Sequence, residues 1–559
     1  MSSVGAKMRD HSCCLFRFEA RITEIRLDGS STGQSWLFTK AIFCYAAKLA
    51  TFVSSIIKLA PMMDRRSFMS RMVAGFAVCG QTSFLRSTFA AVVPAALATD
   101  PLRPQYHLLP AANWMNDPNG PIYWKGKYHM FYQYNPNGAY WGDMHWGHAV
   151  SPDMVHWEHL PVALAPTPGG PDAAGCFSGT AVIDGDHVAV LYTGVVSVPE
   201  NEATIRDGEH SFRESQCLAI SSDDDLTTWT KQPQPVIAAP PEGIDVSGFR
   251  DPSPWRQDDW WYMAVGSGIR GKGGAVLLYR SRDLQHWEYL HFLAQGTGNG
   301  KQTANPVDSG DMWECPDFFP LGDKHVLIHS AEGKSFWQVG TFDTERLLFH
   351  PERSGLLDDG SFYAPKTQLD ANGNRTLWGW IPETRPQNEY QTAGWAGMMS
   401  LPRVLTLDEK NNLKMVPHPA LKQLRTRSEP KKSTSIKKCC GEVLCRLRTS
   451  SPIAFSIQGE RGVGNVLHLE YHPDQPDKIQ LAGAQLTLPN IPVELELHLF
   501  VDGSILEVFI QSQMAYTKRF YFSGLSAPDL SIHVTGEAAD SSGLEIWQLT
   551  PISKDRLSR

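Results

Sequence analysis

Short apolar runs, each closed off by Gly, Pro, Asn or Asp, recur along the chain. Examples are "GKYHMFYQYNP" (126–136), "DHVAVLYTGV" (186–195), "DWWYMAVGSG" (259–268) and "KHVLIHSAEG" (324–333). They are too short for ordinary helices and rich in Val, Tyr, Phe and Trp, so they predict β-strands. A second pattern punctuates them. "SPDMVHWE" (151–158), "SDDDLTTWT" (222–230) and "SRDLQHWE" (281–288) share D-[LM]-x-x-W, and "FDTERLLFH" (342–350) echoes it. The tryptophans Trp157, Trp229 and Trp287 stand 72 and 58 residues apart. Repetition at such a period marks radially repeated units. Residues 99–413 divide into five of them, which predicts a five-bladed β-propeller whose repeat tryptophans pack blade against blade.

The pattern then changes. Residues 414–438 are polar and basic, with Pro417 and Pro419, and read as a connector with a short helix. Strict alternation follows in "VLHLEYH" (466–472), "VELELHLFVDGSILEVFI" (493–510) and "GLEIWQL" (543–549), with Asp502-Gly503 as a hairpin turn. Residues 439–559 are therefore predicted to form a β-sandwich, and the fold class is all-β.

Composition agrees: 17 Trp, 46 Gly and 38 Pro in 559 residues suit many strands and many turns. Charge is unevenly spread. The first 98 residues carry 12 Lys and Arg against 5 Asp and Glu, a net +7, which leaves −15 for residues 99–559 out of the chain's −8. An acidic body argues against nucleic acid as a partner, since phosphate backbones are held by clustered Lys and Arg, and favours a neutral substrate. In the basic leader, Arg65 and Arg66 precede an apolar run, and a small-residue A-x-A site ends at Ala98. Residues 62–98 thus resemble a twin-arginine export signal, which predicts an exported protein, periplasmic or secreted. Residues 1–61 have no place in such a signal; either Met62 or Met63 is the true start or a pre-leader exists. The stretch 36–60 is broken by Lys40, Lys48 and Lys58, so no membrane span is predicted. Six of the ten cysteines, Cys176, Cys217, Cys315, Cys439, Cys440 and Cys445, lie beyond the leader, and a protein folded before export has no need to pair them. No CxxC or HExxH spacing occurs, so a structural zinc or zincin site has no support, and no cofactor is expected.

Three acids stand out by their neighbours: Asp117 in "NWMNDPNG" (113–120), Asp251 in "GFRDPSPW" (248–255) and Glu314 in "DMWECPDFFP" (311–320). Each is followed within two residues by Pro and precedes a strand-like run, which places them on the inner edges of three blades. Convergent carboxylates suit glycoside cleavage: one attacks the anomeric carbon, another protonates the departing oxygen, and a third holds hydroxyls as charge develops on the ring. The proton donor needs a raised pKa, and the flanking Trp313 and Cys315 offer Glu314 apolar surroundings for that purpose. Asn116 and turn amides beside Asp117 favour its charged form. Plainer readings stand beside these. Asp117 could cap its own turn, Asp251 could pair with Arg250, and Cys315 could be a small buried apolar residue.

Together these motifs resemble glycoside hydrolase family thirty-two, the β-fructofuranosidases, exo-inulinases and levanases. WMNDPNG (114–120), "FSGTAV" (177–182), RDP (250–252), ECP (314–316), "GWAGMMSLPR" (394–403) and "FVDGSILEVF" (500–509) carry the likeness, in family order, over roughly residues 105–550. The resemblance implies a five-bladed propeller, a retaining double displacement and no metal. It matches Asp117 to the nucleophile, Glu314 to the general acid/base and Asp251 to the transition-state stabiliser. It matches Asn116, Gln133, Trp141, Ser178 and Arg250 to sugar-binding positions, Trp114 and Phe177 to the apolar rim, and adds Tyr363 and Trp395. Trp141 and Trp395 read equally well as strand aromatics. Thr180 stands where many members have Ser. The expected substrate is a fructan such as levan or inulin, or another fructosyl saccharide such as sucrose. A fructosyltransferase and a noncatalytic fructan-binding propeller are the rival readings, and the second would have lost at least one of the three acids.

Overall fold

The computed structural model describes residues 95–553 apart from 431–432, 461, 489–490, 492 and 538–542. Residues 1–61 and nearly all of the export-like segment 62–98 therefore lie outside the described residues. Among these residues the chain is almost entirely β. Five antiparallel sheets follow one another as blades. Their innermost strands are Asn113–Trp124, Gly175–Asp184, Val246–Gln257, Glu314–Leu321 and Tyr363–Leu369. In blades 1, 3 and 4 the chain then steps outward through three more strands in order; blades 2 and 5 add short extra strands to the same plan.

The repeated D-[LM]-x-x-W turns out to be a turn before the outermost strand. Asp153 and Asp283 accept backbone N–H bonds from the next two or three residues, and Met154 and Leu284 take positive φ of 65° and 62°. Trp157 and Trp287 then donate back to the carbonyls of Met154 and Leu284. In blade 2 the turn is two residues longer: Asp223, not Asp225, accepts from Asp225, Thr227 and Thr228. The tryptophans do pack between blades: Trp157 meets Trp378 of blade 5, and Trp229 meets Phe131 of blade 1.

A strap closes the ring. Trp395–Ala396 runs parallel to the start of blade 1's inner strand (Asn113↔Trp395, Trp114↔Ala396), and Met398–Met399 pairs with the second strand of blade 5. Between the two sits Gly397 at φ 79°, where a Cβ would lie 1.9 Å from the Met115 carbonyl oxygen. Only glycine fits there.

The expected connector is shorter than 414–438. Residues Leu413–Pro417 form the outer strand of blade 5, and a 3₁₀ turn at Pro419–Leu424 follows, as apolar alternation in "LKMVP" allows. The sandwich comprises a six-stranded and a five-stranded sheet, with Glu494–Asp502 and Ile505–Ile510 paired across the predicted Asp-Gly turn. Its joint with the propeller is partly apolar and partly ionic. Phe500, Phe509 and Trp547 share one core cluster with Phe319, Phe362 and Leu405. Behind them Arg403 pairs with Asp358 (2.9 Å) and Glu507 (2.7 Å), and His107 lies between Asp502 (2.8 Å) and Glu507 (3.0 Å), all fully buried. The propeller body also starts earlier than residue 99. Leu97, in a short helix Ala95–Thr99, is buried against Leu109, Ile381, Trp395, Met398 and Ile505.

Candidate active site

Every innermost strand is interrupted at the same level. Pairing with the second strand slips between Met115 and Pro118, Cys176 and Gly179, Arg250 and Ser253, Glu314 and Asp317, and Tyr363 and Lys366. Such bulges leave residues unpaired and re-aim side chains, which is why they recur beside active sites. In blades 3, 4 and 5 the first bulged residue has positive φ (Asp251 64°, Cys315 48°, Ala364 50°) and the second is a proline. Proline is tolerated there because a bulged residue owes the ladder no N–H.

The three acids therefore reach one cavity from three different ladder positions. Asp117 is the second bulged residue of blade 1, Asp251 the first of blade 3, and Glu314 the last paired residue before the bulge of blade 4. Cys315 occupies the position equivalent to Asp251. Its buried Sγ lies 3.6 Å from Asp117 Oδ2 and 3.5 Å from Asp251 Oδ2, so the two aspartates flank one thiol. The cavity, of about 310 Å3, is lined by Asn116, Asp117, Gln133, Trp141, Phe177, Ser178, Arg250, Asp251, Glu314 and Tyr363, among others.

Polar contacts hold each carboxylate. Asp117 accepts from Ser178 Oγ (2.6 Å) and Asn116 Nδ2 (3.0 Å). Burial nonetheless outweighs those bonds and raises its pKa, with the Glu314 charge adding to the effect. Asp251 accepts from the Cys315 backbone N–H (2.8 Å). Burial lifts it to about 7, opposed by Arg250 and assisted by Glu314 and Asp117. Glu314 lies in a more polar setting than its sequence neighbours suggest. Arg250 donates to its Oε1 through Nε (3.1 Å) and Nη2 (2.8 Å), and the Tyr363 hydroxyl donates to Oε2 (2.6 Å). Trp313 points the other way and stacks on His329, because adjacent strand residues face opposite sides. The expectation of an apolar niche around Glu314 is thus corrected, while Asn116 does favour the charged form of Asp117 as expected, though burial outweighs it.

Other expected residues divide cleanly. Gln133 lines the cavity and donates to the Cys176 carbonyl (3.0 Å). Trp141, 41% exposed, and Phe177 meet edge to face at its mouth. Trp114 lies one layer back: its indole N–H donates to Asn116 Oδ1 (2.7 Å), and its ring packs on Trp380 and Tyr390. Trp395 does not reach the cavity. It is fully buried in the ring-closing strap, its indole bonded to Asp100 Oδ2 (2.8 Å) and its ring beneath the guanidinium groups of Arg103, Arg385 and Arg519. Trp380, paired with Tyr363, lines the cavity where Trp395 was expected.

Several lining residues carry no sequence signal of their own. Ile205, Arg206, Asp207, His210 and Phe212 come from an excursion in blade 2, and Ser247, Asn305 and Pro306 face them. His210 is steadied by Asp207 (2.9 Å) and forms an aromatic wall with Trp141 and Phe212. Buried Glu214 anchors Arg250 Nη1 (2.9 Å) and the Phe249 N–H (2.7 Å) from behind. All six described cysteines are free and buried. Among the described residues no group of three or more His, Cys, Asp or Glu could hold a metal, and no helix is long and apolar enough to cross a membrane.

Comparison with known proteins accords with this geometry. Residues 107–419 match the family model of the glycosyl hydrolases family 32 N-terminal domain, and 459–548 match that of the family's C-terminal domain. The chain belongs to glycosyl hydrolase family 32. It is 35% identical over 485 residues to a sucrose-6-phosphate hydrolase of Escherichia coli, covering 80% of this chain and 94% of that one. A raffinose invertase of Escherichia coli is 32% identical over 80% of this chain and 95% of its own. Among solved structures, a GH32 beta-fructofuranosidase of Bombyx mori matches with a TM-score of 0.68 and 31% identity, over 84% of this chain and 99% of that chain. Fructan 1-exohydrolase IIa of Cichorium intybus matches at 0.64 and 27%, over 81% and 98%. The family 32 chain described here is a glycosidase, a fructosyl hydrolase built as a β-propeller followed by a β-sandwich.

Proposed function

We propose that this family 32 enzyme releases terminal β-fructosyl units, with retention, from sucrose and from the ends of fructans such as levan and inulin, and that it works outside the inner membrane. The observation that carries the reading is the convergence of Asp117, Asp251 and Glu314 on one cavity of about 310 Å3. In this mechanism Asp117 attacks the anomeric carbon, and Ser178 and Asn116 steady its charge. Glu314 hands its proton to the departing oxygen and then takes one from the water that displaces Asp117 from the anomeric carbon, which frees the fructose and restores the carboxylate. Asp251 holds ring hydroxyls as positive charge grows on the sugar. Arg250 and Tyr363 fix Glu314 in place, and Trp141 with His210 forms an aromatic wall at the cavity. Related structures have been solved with sucrose and with 1-kestose bound, which supports a fructosyl saccharide as ligand. Support for export rests on the leader of residues 62–98 alone.

Relatives are named for sucrose 6-phosphate and for raffinose, and one was solved with sucrose bound. Product profiling on levan, inulin and sucrose is the direct test. Free fructose as the sole early product from both polymers is expected. Asp117→Asn is expected to lower kcat by about a thousandfold or more while Tm holds, as loss of a covalent nucleophile requires. Near-normal turnover in that variant would remove Asp117 from the nucleophile's role.

A further inference from the structure

The strand that carries Arg250 and Asp251 is gripped from blade 2 by three side chains that no step of the mechanism above employs. Glu214 and Gln216 stand two apart on Ser211–Ser221, so they face the same way, and Gln216 pairs across to Thr193 on His187–Ser197. All three are fully buried. The Asp251 N–H donates to Thr193 Oγ1 (2.9 Å), the Thr193 hydroxyl donates to Gln216 Oε1 (3.0 Å), and Gln216 Nε2 donates to the Phe249 carbonyl (2.9 Å). Glu214 does more than hold backbone. One of its oxygens accepts the Phe249 N–H (2.7 Å) and the other accepts Arg250 Nη1 (2.9 Å), while the same guanidinium turns Nε and Nη2 to Glu314 Oε1. Gly248 makes the room, since a Cβ there would lie 2.8 Å from Nη1. Arg250 thus bridges two carboxylates, of which Glu314 lines the substrate cavity and Glu214 lies sealed behind it.

The bridge resolves a conflict of charge. A guanidinium that donates two bonds to a carboxylate favours its ionised form, yet Glu314 must carry a proton to release the leaving oxygen. A second carboxylate on the same guanidinium offsets that pull. With Glu214 ionised, the three groups are together neutral when Glu314 is protonated; with an uncharged side chain in its place they would hold a net positive charge out of water, which is costly. The other titratable groups around Glu314 are Tyr363 of blade 5, Asp117 of blade 1, Asp251 beside Arg250 and Cys315 next in the chain, with Asp207 and His210 on the same cavity wall. Lys366 of blade 5 turns its ammonium to the Pro316 carbonyl (2.7 Å).

We propose that Glu214 is a positioning residue for the reaction: it aims Arg250 at Glu314 and, by its buried charge, leaves that acid able to hold the proton it delivers to the departing oxygen. The inference rests on the fructosyl-hydrolase reading above and adds to it a group set behind the cavity, with Thr193 and Gln216 as its braces.

The test is the pH profile of kcat/KM for the full chain, from about pH 4 to about pH 9, on two substrates. One is sucrose; the other is an aryl β-fructofuranoside whose nitrophenolate departs without a proton. Glu214→Gln keeps the shape and removes the charge. Its basic limb on sucrose is expected to move to lower pH by about one unit, a roughly tenfold loss of rate above the limb. On the aryl substrate the loss there stays within about twofold, because no acid is needed. Glu214→Asp keeps the charge, and its limb on sucrose is expected to stay with the parent's even where the rate falls. Equal losses on both substrates with an unmoved limb would leave Glu214 a brace for its strand and overturn the inference. So would a limb displaced alike in the Gln and Asp variants. If Glu214→Gln does not fold, Glu214→Asp carries the test, a parental limb supporting the inference and a displaced one overturning it. A parent inert on both substrates would instead overturn the proposed function.

Discussion

At the residue scale, the carboxylates are held in tension between burial and donation. The Ser178 hydroxyl is the nearest donor holding the raised Asp117 in its charged form, at 2.6 Å. A nucleophile must be ionised, so activity falls as pH drops through its pKa. Ser178→Ala removes the opposing bond, and the acid limb of kcat/KM should move upward by about one pH unit. A pH–rate profile reads this, and an unmoved limb would show that Asn116 alone governs the charge. Asp251 gives a second expectation. Its folded pKa of about 7 lies above the ordinary Asp value, so the fold loses stability as pH rises from about 4 through 7. Asp251→Asn should therefore melt higher than the parent at pH 8, by on the order of 2 kcal/mol of stability, with the gap closing near pH 4. Thermal melts at the two pH values decide it. The same variant should be nearly inactive, because a functional site keeps a charge that the fold alone would discard.

At the scale of the element, the bulge at the head of each inner strand sets where a side chain arrives. Asp117 and Asp251 were legible because Asp before Pro in front of an apolar run is a recognisable break in a strand. The aromatic wall was not. Periodicity tells which face of a strand a residue occupies, but not its height along the blade. Trp378 and Trp380 share a face and flank the bulge, paired with Lys366 and Tyr363, yet only Trp380 meets the cavity. Trp395, chosen from a motif, belongs to a strap whose parallel pairing across the ring no local pattern announces. The blade 2 contributors Arg206, His210 and Phe212 were equally hidden, since loop paths depend on contacts distant in sequence. The strap makes its own prediction. Gly397→Ala drives a methyl group into the Met115 carbonyl, one residue before Asn116 and Asp117. Stability should fall by about 2–4 kcal/mol, and kcat measured well below Tm should fall too. Loss of stability with kcat intact would mean that the strap closes the ring without positioning the nucleophile.

At the scale of the whole molecule, the joint between propeller and sandwich is an ionic lock with a pH signature. Burial opposes a charged His107, but hydrogen bonds to Asp502 and Glu507 outweigh it and lift its pKa to about 9. The lock is fully made below the ordinary histidine value near 6.5 and weakens as pH rises through 9. Melting temperature should drop between pH 7 and about 10, and His107→Gln should flatten that decline while lowering stability at pH 7. The two-domain plan and the hairpin turn at Asp502 were readable from alternation, whereas the reach of that turn back to His107, 395 positions away, was not. The start of the body shows a related economy. Leu97 fills a notch beside Trp395 at this joint, yet it precedes the A-x-A boundary at Ala98. A chain trimmed after Ala98 would carry an unplugged hollow where its two lobes meet. Trimmed and untrimmed forms of the same enzyme would then differ in heat tolerance with every active-site atom in common.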